Sequence, residues 1–242
     1  MTATARTEHT STAPTATSAT TTPDSAAASG SATAQYRRRQ RFGHHVAGRV
    51  EALQRDVRNR SSSAIAIMAR LRASVGRAPG YDYAVLDVTS VPENLLGYRP
   101  GDGPTDTEWA KHTALTLYAL HQQSIHDTPM HRDGPGLGTA ISQLARVAAS
   151  PDAVRRRFIA LGTATSYDAT VCHIRGLVAQ LRDHKIGLDY GLLADDLVAL
   201  LRPGGRDRIR AVWGRDFYRN ATDEEDAQAE HNTDDTSNDN KE

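Results

Sequence analysis

One cysteine, Cys172, occurs in 242 residues. A single thiol excludes an internal disulfide framework and any cysteine-based zinc site. No apolar run approaches the ~20 residues needed to span a bilayer. Residues 2–35 hold no apolar segment of the kind a secretory signal needs, and their single arginine, Arg6, does not suit a transit peptide. The expectation is a soluble, cytoplasmic protein. Lysine is nearly missing: of 29 Lys+Arg only Lys111, Lys185 and Lys241 are lysine. Aromatic residues make up 5% of the chain. Three of them, Trp213, Phe217 and Tyr218, nevertheless fall together among arginines in "IRAVWGRDFYRN", residues 209–220.

The two ends are low in apolar residues. Residues 1–35 are dominated by Thr, Ala and Ser, and residues 221–242 are acidic and polar. Neither can bury enough apolar surface to offset chain entropy, so both read as disordered. The foldable part is then residues 36–220, the usual size of one domain. The formal net charge of zero hides an asymmetry. Of the 29 Lys+Arg, only Arg6 and Lys241 lie outside residues 36–220, leaving 27 inside; of the 29 Asp+Glu, 18 lie inside and nine in the tail. The body is therefore +9 (27 − 18) and the tail −8 (nine acids, one lysine). A basic body dominated by arginine points to a polyanion partner, since the planar guanidinium suits phosphate and base faces.

Apolar periodicity in the body is helical throughout. Val46, Val50, Leu53 and Val57 form one stripe. A second helix follows Ser61–Ser63 and buries Ile65, Met68 and Leu71; Arg70, Arg72 and Arg77 lie toward its C-terminal end, and Ala78-Pro79-Gly80 stops it. Residues 79–104 are rich in Pro and Gly, with Tyr83 to Val88 as a short strand or packed loop. "TDTE", residues 105–108, has the form of a capping box opening a helix with Trp109, Leu115, Leu117, Tyr118 and Leu120. "PGLGTAISQLARVAA" supplies a helix with Ile141, Leu144 and Ala148 on one side. Ser150-Pro151-Asp152 opens the next, as N-cap and first-turn proline. Val171, Ile174, Val178 and Leu181 form another stripe, edged by Arg175 and Arg182. Leu188 to Leu201 is apolar, Pro203-Gly204-Gly205 breaks it, and Arg206 begins the last helix. The fold class is all-α, a two-lobed helical bundle whose lobes meet near residues 130–150.

Catalytic and metal constellations do not converge. His121, His126 and His131 are five apart, which turns each about 140° from the last on a helix. They share no metal face, and Pro129 makes the segment a polar loop. The chain has no HExxH. Gly134, Gly136 and Gly138 follow no strand, which weakens a phosphate-loop reading. Asp195 and Asp196 are adjacent, hence on different faces, and suit capping or arginine pairing. Cys172 sits beside an apolar stripe and reads as core. Neither a cofactor nor a small-molecule substrate is expected. The arginines are what remains. If they face one way they make a track for a sugar-phosphate backbone; otherwise they are solvated charge with Asp partners.

In order, "MARLRAS", "YALHQQS", "PGLGTAISQL", "AVRRRFIAL", "CHIRGLVAQLR", "LDYGLLADDL" and "IRAVWGRDFYR" resemble the CasB family, the small subunit of the type I-E CRISPR effector complex, Cascade. The resemblance covers residues 43–219 except the loop 79–104. It implies an all-helical, two-lobed, non-enzymatic protein. Its partners would be other Cascade subunits, a second copy of itself, and the guide RNA and target DNA, whose displaced strand it would stabilise in the R-loop. No membrane is involved. It places nucleic-acid contacts at Arg70 and Arg72 in "ARLR", Arg155 and Arg156 in "RRRF" and Arg175 in "HIR". Arg182 falls in "QLR", and Arg202, Arg206 and Arg208 flank the last helix break. Trp213 and Phe217, four apart, have the spacing of core or subunit contact, with base stacking as the alternative. Two other readings stay open: a free-standing helical DNA-binding regulator, for which no segment makes a good helix-turn-helix, and a purely structural helical adaptor.

Overall fold

The computed structural model describes residues 37–99 and 101–219. The reading of residues 1–35 and 221–242 as disordered concerns segments outside those residues. The described residues form nine α-helices and no strand; one isolated parallel bridge pairs His131 with Leu188. The fold is all-α. In order the helices are α1 (Arg41–Arg58), α2 (Ser62–Ala73), α3 (Leu86–Thr89), α4 (Asp106–His121), α5 (Leu137–Val147), α6 (Pro151–Thr163), α7 (Tyr167–Asp183) and α8 (Tyr190–Leu201), then α9 over residues 205–219.

The helix starts follow side-chain chemistry. Thr105 Oγ1 accepts from the Glu108 backbone N–H at 3.2 Å, and the Thr105 N–H donates to Glu108 Oε2 at 2.7 Å, a complete capping box. Ser150 accepts from Ala153 N–H, Ser166 from Ala169 N–H and Asp189 from Leu192 N–H, each three residues into its helix. α1 is capped from a distance. Gln40 offers its start no side-chain bond. Asp195 of α8 instead accepts the N–H groups of Gln40 at 2.7 Å and Gly43 at 2.8 Å. The approach is close enough that a Cβ on Gly43 would sit 2.2 Å from the Asp195 carboxylate and 2.7 Å from the Gly191 carbonyl.

Several boundaries differ from the sequence expectation. α2 stops at Ala73, before Ala78-Pro79, because Ser74 caps it, its hydroxyl donating to the Arg70 carbonyl at 3.0 Å, and Gly76 takes φ +76°. Arg77 is therefore outside the helix. Ile65 is 46% exposed; the buried stripe is Ala64, Met68 and Leu71, and Ile65 lies one position around from it. Tyr83 to Val88 is neither strand nor loop. It is a 3-10 turn, Tyr83–Val85, running into α3. Leu188 precedes α8 and pairs with the 130–132 segment: its N–H donates to the Met130 carbonyl at 3.0 Å, and Arg132 N–H donates back at 3.2 Å.

The stripe Val46, Val50, Leu53 and Val57 packs α1 on α8, α4 lies against α2, α7 and α8, and α5, α6 and α7 pack together. One apolar cluster extends from Phe42 to Phe217. Lys111 of α4 is 2% exposed within this body. Its ammonium donates to the Ser90 carbonyl and contacts His45 Nε2 at 2.9 Å, with no carboxylate partner among the described residues. Burial, aided by Arg49, pushes its pKa down from 10.5 to about 8. Below pH 8 both folded and unfolded chains hold this proton, and the folded state carries the full cost of the buried charge. Between pH 8 and 10.5 the unfolded chain binds more protons, so stability rises with pH. Lys111→Met is expected to be more stable than wild type at pH 7 by about 2 kcal/mol, less than the full pKa difference converts to because the Ser90 bond is lost. The gap should close as pH rises through that window. Urea denaturation at pH 7 and pH 10 checks this; a gap independent of pH rejects it.

Candidate nucleic-acid interface

The last helix runs antiparallel to α6. Arg206 and Arg210 at its start donate to the carbonyls of Thr165 and Ala164, while Phe217 near its end stacks on Phe158 at 4.4 Å between ring centres, 19° from parallel. The rings are interior: Trp213 is 1% exposed and Phe217 2%. Trp213 Nε1 donates to Asp196 Oδ2 at 2.7 Å, and Asp196 also takes both guanidinium ends of Arg37 at 2.8 Å. Asp196 is nearly fully buried, and burial pushes its carboxyl up while Arg37 opposes the rise. Of the three rings in the C-terminal cluster only Tyr218 is open, 48% exposed, with the Arg155 guanidinium over it at 5.9 Å.

The arginines singled out in the sequence fall into several groups. On α6, Val154, Phe158 and Leu161 face inward and Arg155, Arg156 and Arg157 are exposed. Arg175 is exposed on α7, which packs against α6. Arg202 and Arg208 line a cavity of about 390 Å³ with Arg41, over a floor that includes Phe42, Leu95, Leu96 and Val198. Arg206 is half-buried and committed to Thr165. Arg70 and Arg72 lie on α2. Arg70 is 3.6 Å from Asp82. Arg72 lines a cavity of about 220 Å³ beside Met68 and His126, and burial pushes its guanidinium below the ordinary value.

Aspartate partners divide these groups further. Arg202 Nε donates to Asp106 Oδ2 at 2.6 Å, Arg182 is 3.0 Å from Asp183, and Arg210 is 3.6 Å from Asp207. Arg156, Arg157, Arg175 and Arg208 make no ion pair among the described residues. Exposed pairs such as Arg182–Asp183 hold little energy and exchange readily.

Three sequence readings need correction here. His121 and His131 are not in a polar loop. His121 is fully buried on α4, its Nδ1 2.9 Å from the Tyr190 hydroxyl, and burial lowers its pKa to about 3. His131 is 4% exposed and is held by the bridge to Leu188. Cys172 is exposed rather than core, because it lies two residues before Ile174, about 200° around α7 from the inward face that carries Ile174 and Leu181. Sequence reading also passed over Arg37, Arg39 and Arg41. The first two are structural: Arg39 Nε donates to Asp189 at 2.8 Å, and Arg37 grips Asp196. Their signal was present as an arginine run immediately ahead of a helix.

Together these features define a class: a compact all-helical protein with a basic, arginine-dominated surface and its C-terminal rings turned mostly inward. The family model for CRISPR-associated protein Cse2 matches residues 67–218, and the chain belongs to that family. Among solved structures it is similar to CasB from Thermobifida fusca at 36% identity, covering 74% of this chain and 99% of that one, with a TM-score of 0.61. A Cse2-family protein from Thermus thermophilus is 24% identical over 73% of this chain and 97% of its own, TM-score 0.55. A chain from a CRISPR RNA-guided surveillance complex is 22% identical over 76% and 99%, TM-score 0.56. The last two show the fold alone. Curated proteins give no match.

Proposed function

We propose that this protein is the non-catalytic small subunit of a type I-E CRISPR surveillance complex. In this role its arginines hold the sugar-phosphate backbone of the guide RNA–target DNA region and the displaced strand. Family membership supports the setting. The observation that carries the chemistry is the set of exposed guanidinium groups without carboxylate partners, Arg156, Arg157, Arg175 and Arg208, on a body of net charge +9. R-loop formation exchanges duplexes of nearly equal stability, so a few backbone contacts decide its lifetime. Such contacts need no base specificity, because pairing reads the sequence. The partners are the other subunits of the complex and a second copy of this chain.

Replacing Arg156, Arg175 and Arg208 together with alanine tests the reading. R-loops on the reconstituted complex are expected to dissociate at least about tenfold faster, at roughly 0.5 kcal/mol or more per lost contact. Melting of the isolated variant should stay within a degree or two of wild type, since no ion pair is broken. Unchanged R-loop lifetime, with assembly insensitive to nuclease, would instead assign the protein a purely adaptor role.

A further inference from the structure

We propose that Glu51, His131 and Asp133 form a binding site for one first-row divalent cation, of the Zn²⁺ or Mn²⁺ type. The donors come from α1 and from the loop ahead of α5. His131 Nε2 is buried with no hydrogen-bond partner. It lies 3.7 Å from Glu51 Oε1 and 3.8 Å from Asp133 Oδ1. The three donor atoms lie within 4.8 Å of one another. Ligands about 2.1 Å from a tetrahedral ion stand about 3.4 Å apart. The histidine is fixed, whereas Glu51 and Asp133 are 50% and 75% exposed, on side chains free to close the few tenths of an ångström to the histidine and the wider gap between the two carboxylates.

His131 Nδ1 is 3.3 Å from the Leu188 carbonyl and 3.2 Å from the Tyr190 backbone N–H. The tautomer that accepts from Tyr190 carries its proton on Nε2, between the two carboxylates; the tautomer that donates Nδ1–H to Leu188, the arrangement metal-bound histidines use, turns an Nε2 lone pair to them. A proton and a divalent ion therefore compete for the same position, and either one separates the two carboxylates. The backbone of His131 is clamped as well: Gln54 accepts its N–H at 2.8 Å and donates to its carbonyl at 3.2 Å.

Charge balance points the same way. Glu51, Asp133 and the neighbouring Asp189 carry three negative charges against the single guanidinium of Arg39, which binds both Asp133 and Asp189. One divalent ion neutralises the remaining two. Asp133 has lone pairs enough on two oxygens to keep Arg39 and accept the ion. Histidine spacing in the sequence pointed away from a metal because it considered His121, His126 and His131 together. Only His131 takes part here, with carboxylates as its co-ligands. The bound ion ties α1 to the loop that leads into α5.

The test uses the full chain, stripped with chelator and titrated with ZnCl₂ and separately with MnCl₂. Calorimetry and thermal melting give affinity and stabilisation, and histidine ¹⁵N spectra report the ring nitrogen bound. Wild type is expected to show one saturable site, a melting rise of several degrees and a shift of the His131 Nε2 resonance. E51Q leaves the apo fold unchanged and should weaken that site at least about tenfold. Binding that E51Q leaves untouched, or that does not move the His131 resonance, places the ion on other groups, such as the acidic residues after Asn220, and overturns the site. So does the lack of any saturable binding by wild type.

Discussion

Trp213→Ala is expected to lower the unfolding free energy by about 3–5 kcal/mol, the cost of removing a large buried aromatic from a packed core. The ring is 1% exposed, and its indole N–H is one of the donors holding the buried Asp196 carboxylate. Truncation therefore leaves both a cavity and an under-bonded acid. Trp213→Phe separates the two: it retains most of the ring volume and loses only the 2.7 Å bond, for about 1–3 kcal/mol. Urea unfolding of the three proteins measures both steps. A Trp213→Ala variant that melts like wild type yet loses nucleic acid would show that the ring stacks on bases.

Single-strand affinity of the full chain is expected to fall about two-hundred-fold between roughly 50 and 200 mM salt. About six phosphate contacts at −0.7 each give a log–log slope near −4. The substrate for this effect is the +9 body. Arg156→Ala, Arg175→Ala and Arg208→Ala combined remove about half of those contacts and should halve the slope to near −2. Filter binding or fluorescence anisotropy across a salt series provides the measurement. A flat response removes electrostatics as the source of binding. A steep slope unchanged in the triple variant moves the contacts to other arginines.

The helices were legible in the sequence wherever local chemistry decides. The capping box at Thr105, the Ser150-Pro151 start and the stripe of α1 all report on residues three or four positions apart, and all three occur in the structure. What was not legible is set by distant partners. Ile65 lies one position off a buried stripe and Cys172 adjoins Val171 at the partly buried edge of another, and only the neighbouring helix decides whether such an edge is covered. His131 is buried by Leu188 and Tyr190, more than fifty positions away. The arginines illustrate the same limit. Nothing local distinguishes Arg37, which grips Asp196, from Arg156, which faces solvent. Asp195 and Asp196 were recognised as capping or pairing residues, because adjacent side chains on a helix point to different neighbours. The identity of those neighbours, Gly43 and Arg37, came only with the fold.

The cap that Asp195 places on α1 has a consequence for how the chain is made. Gly43 and Asp195 are 152 positions apart, and Arg37 and Asp196 are 159 apart. α1 leaves the ribosome early, but the helix that covers its apolar stripe and satisfies its first amides comes out almost last. At about 5–20 residues per second, the interval is on the order of ten to thirty seconds. Throughout it, the stripe of Val46, Val50, Leu53 and Val57 has only α2 and α4 to pack against. Loop closure over such a distance is slow relative to helix formation, so the nascent chain is a natural client for a holding chaperone. Premature termination before Tyr190 yields a product in which α1 lacks α8, its most extensive partner, and keeps only its smaller contacts with α2 and α4.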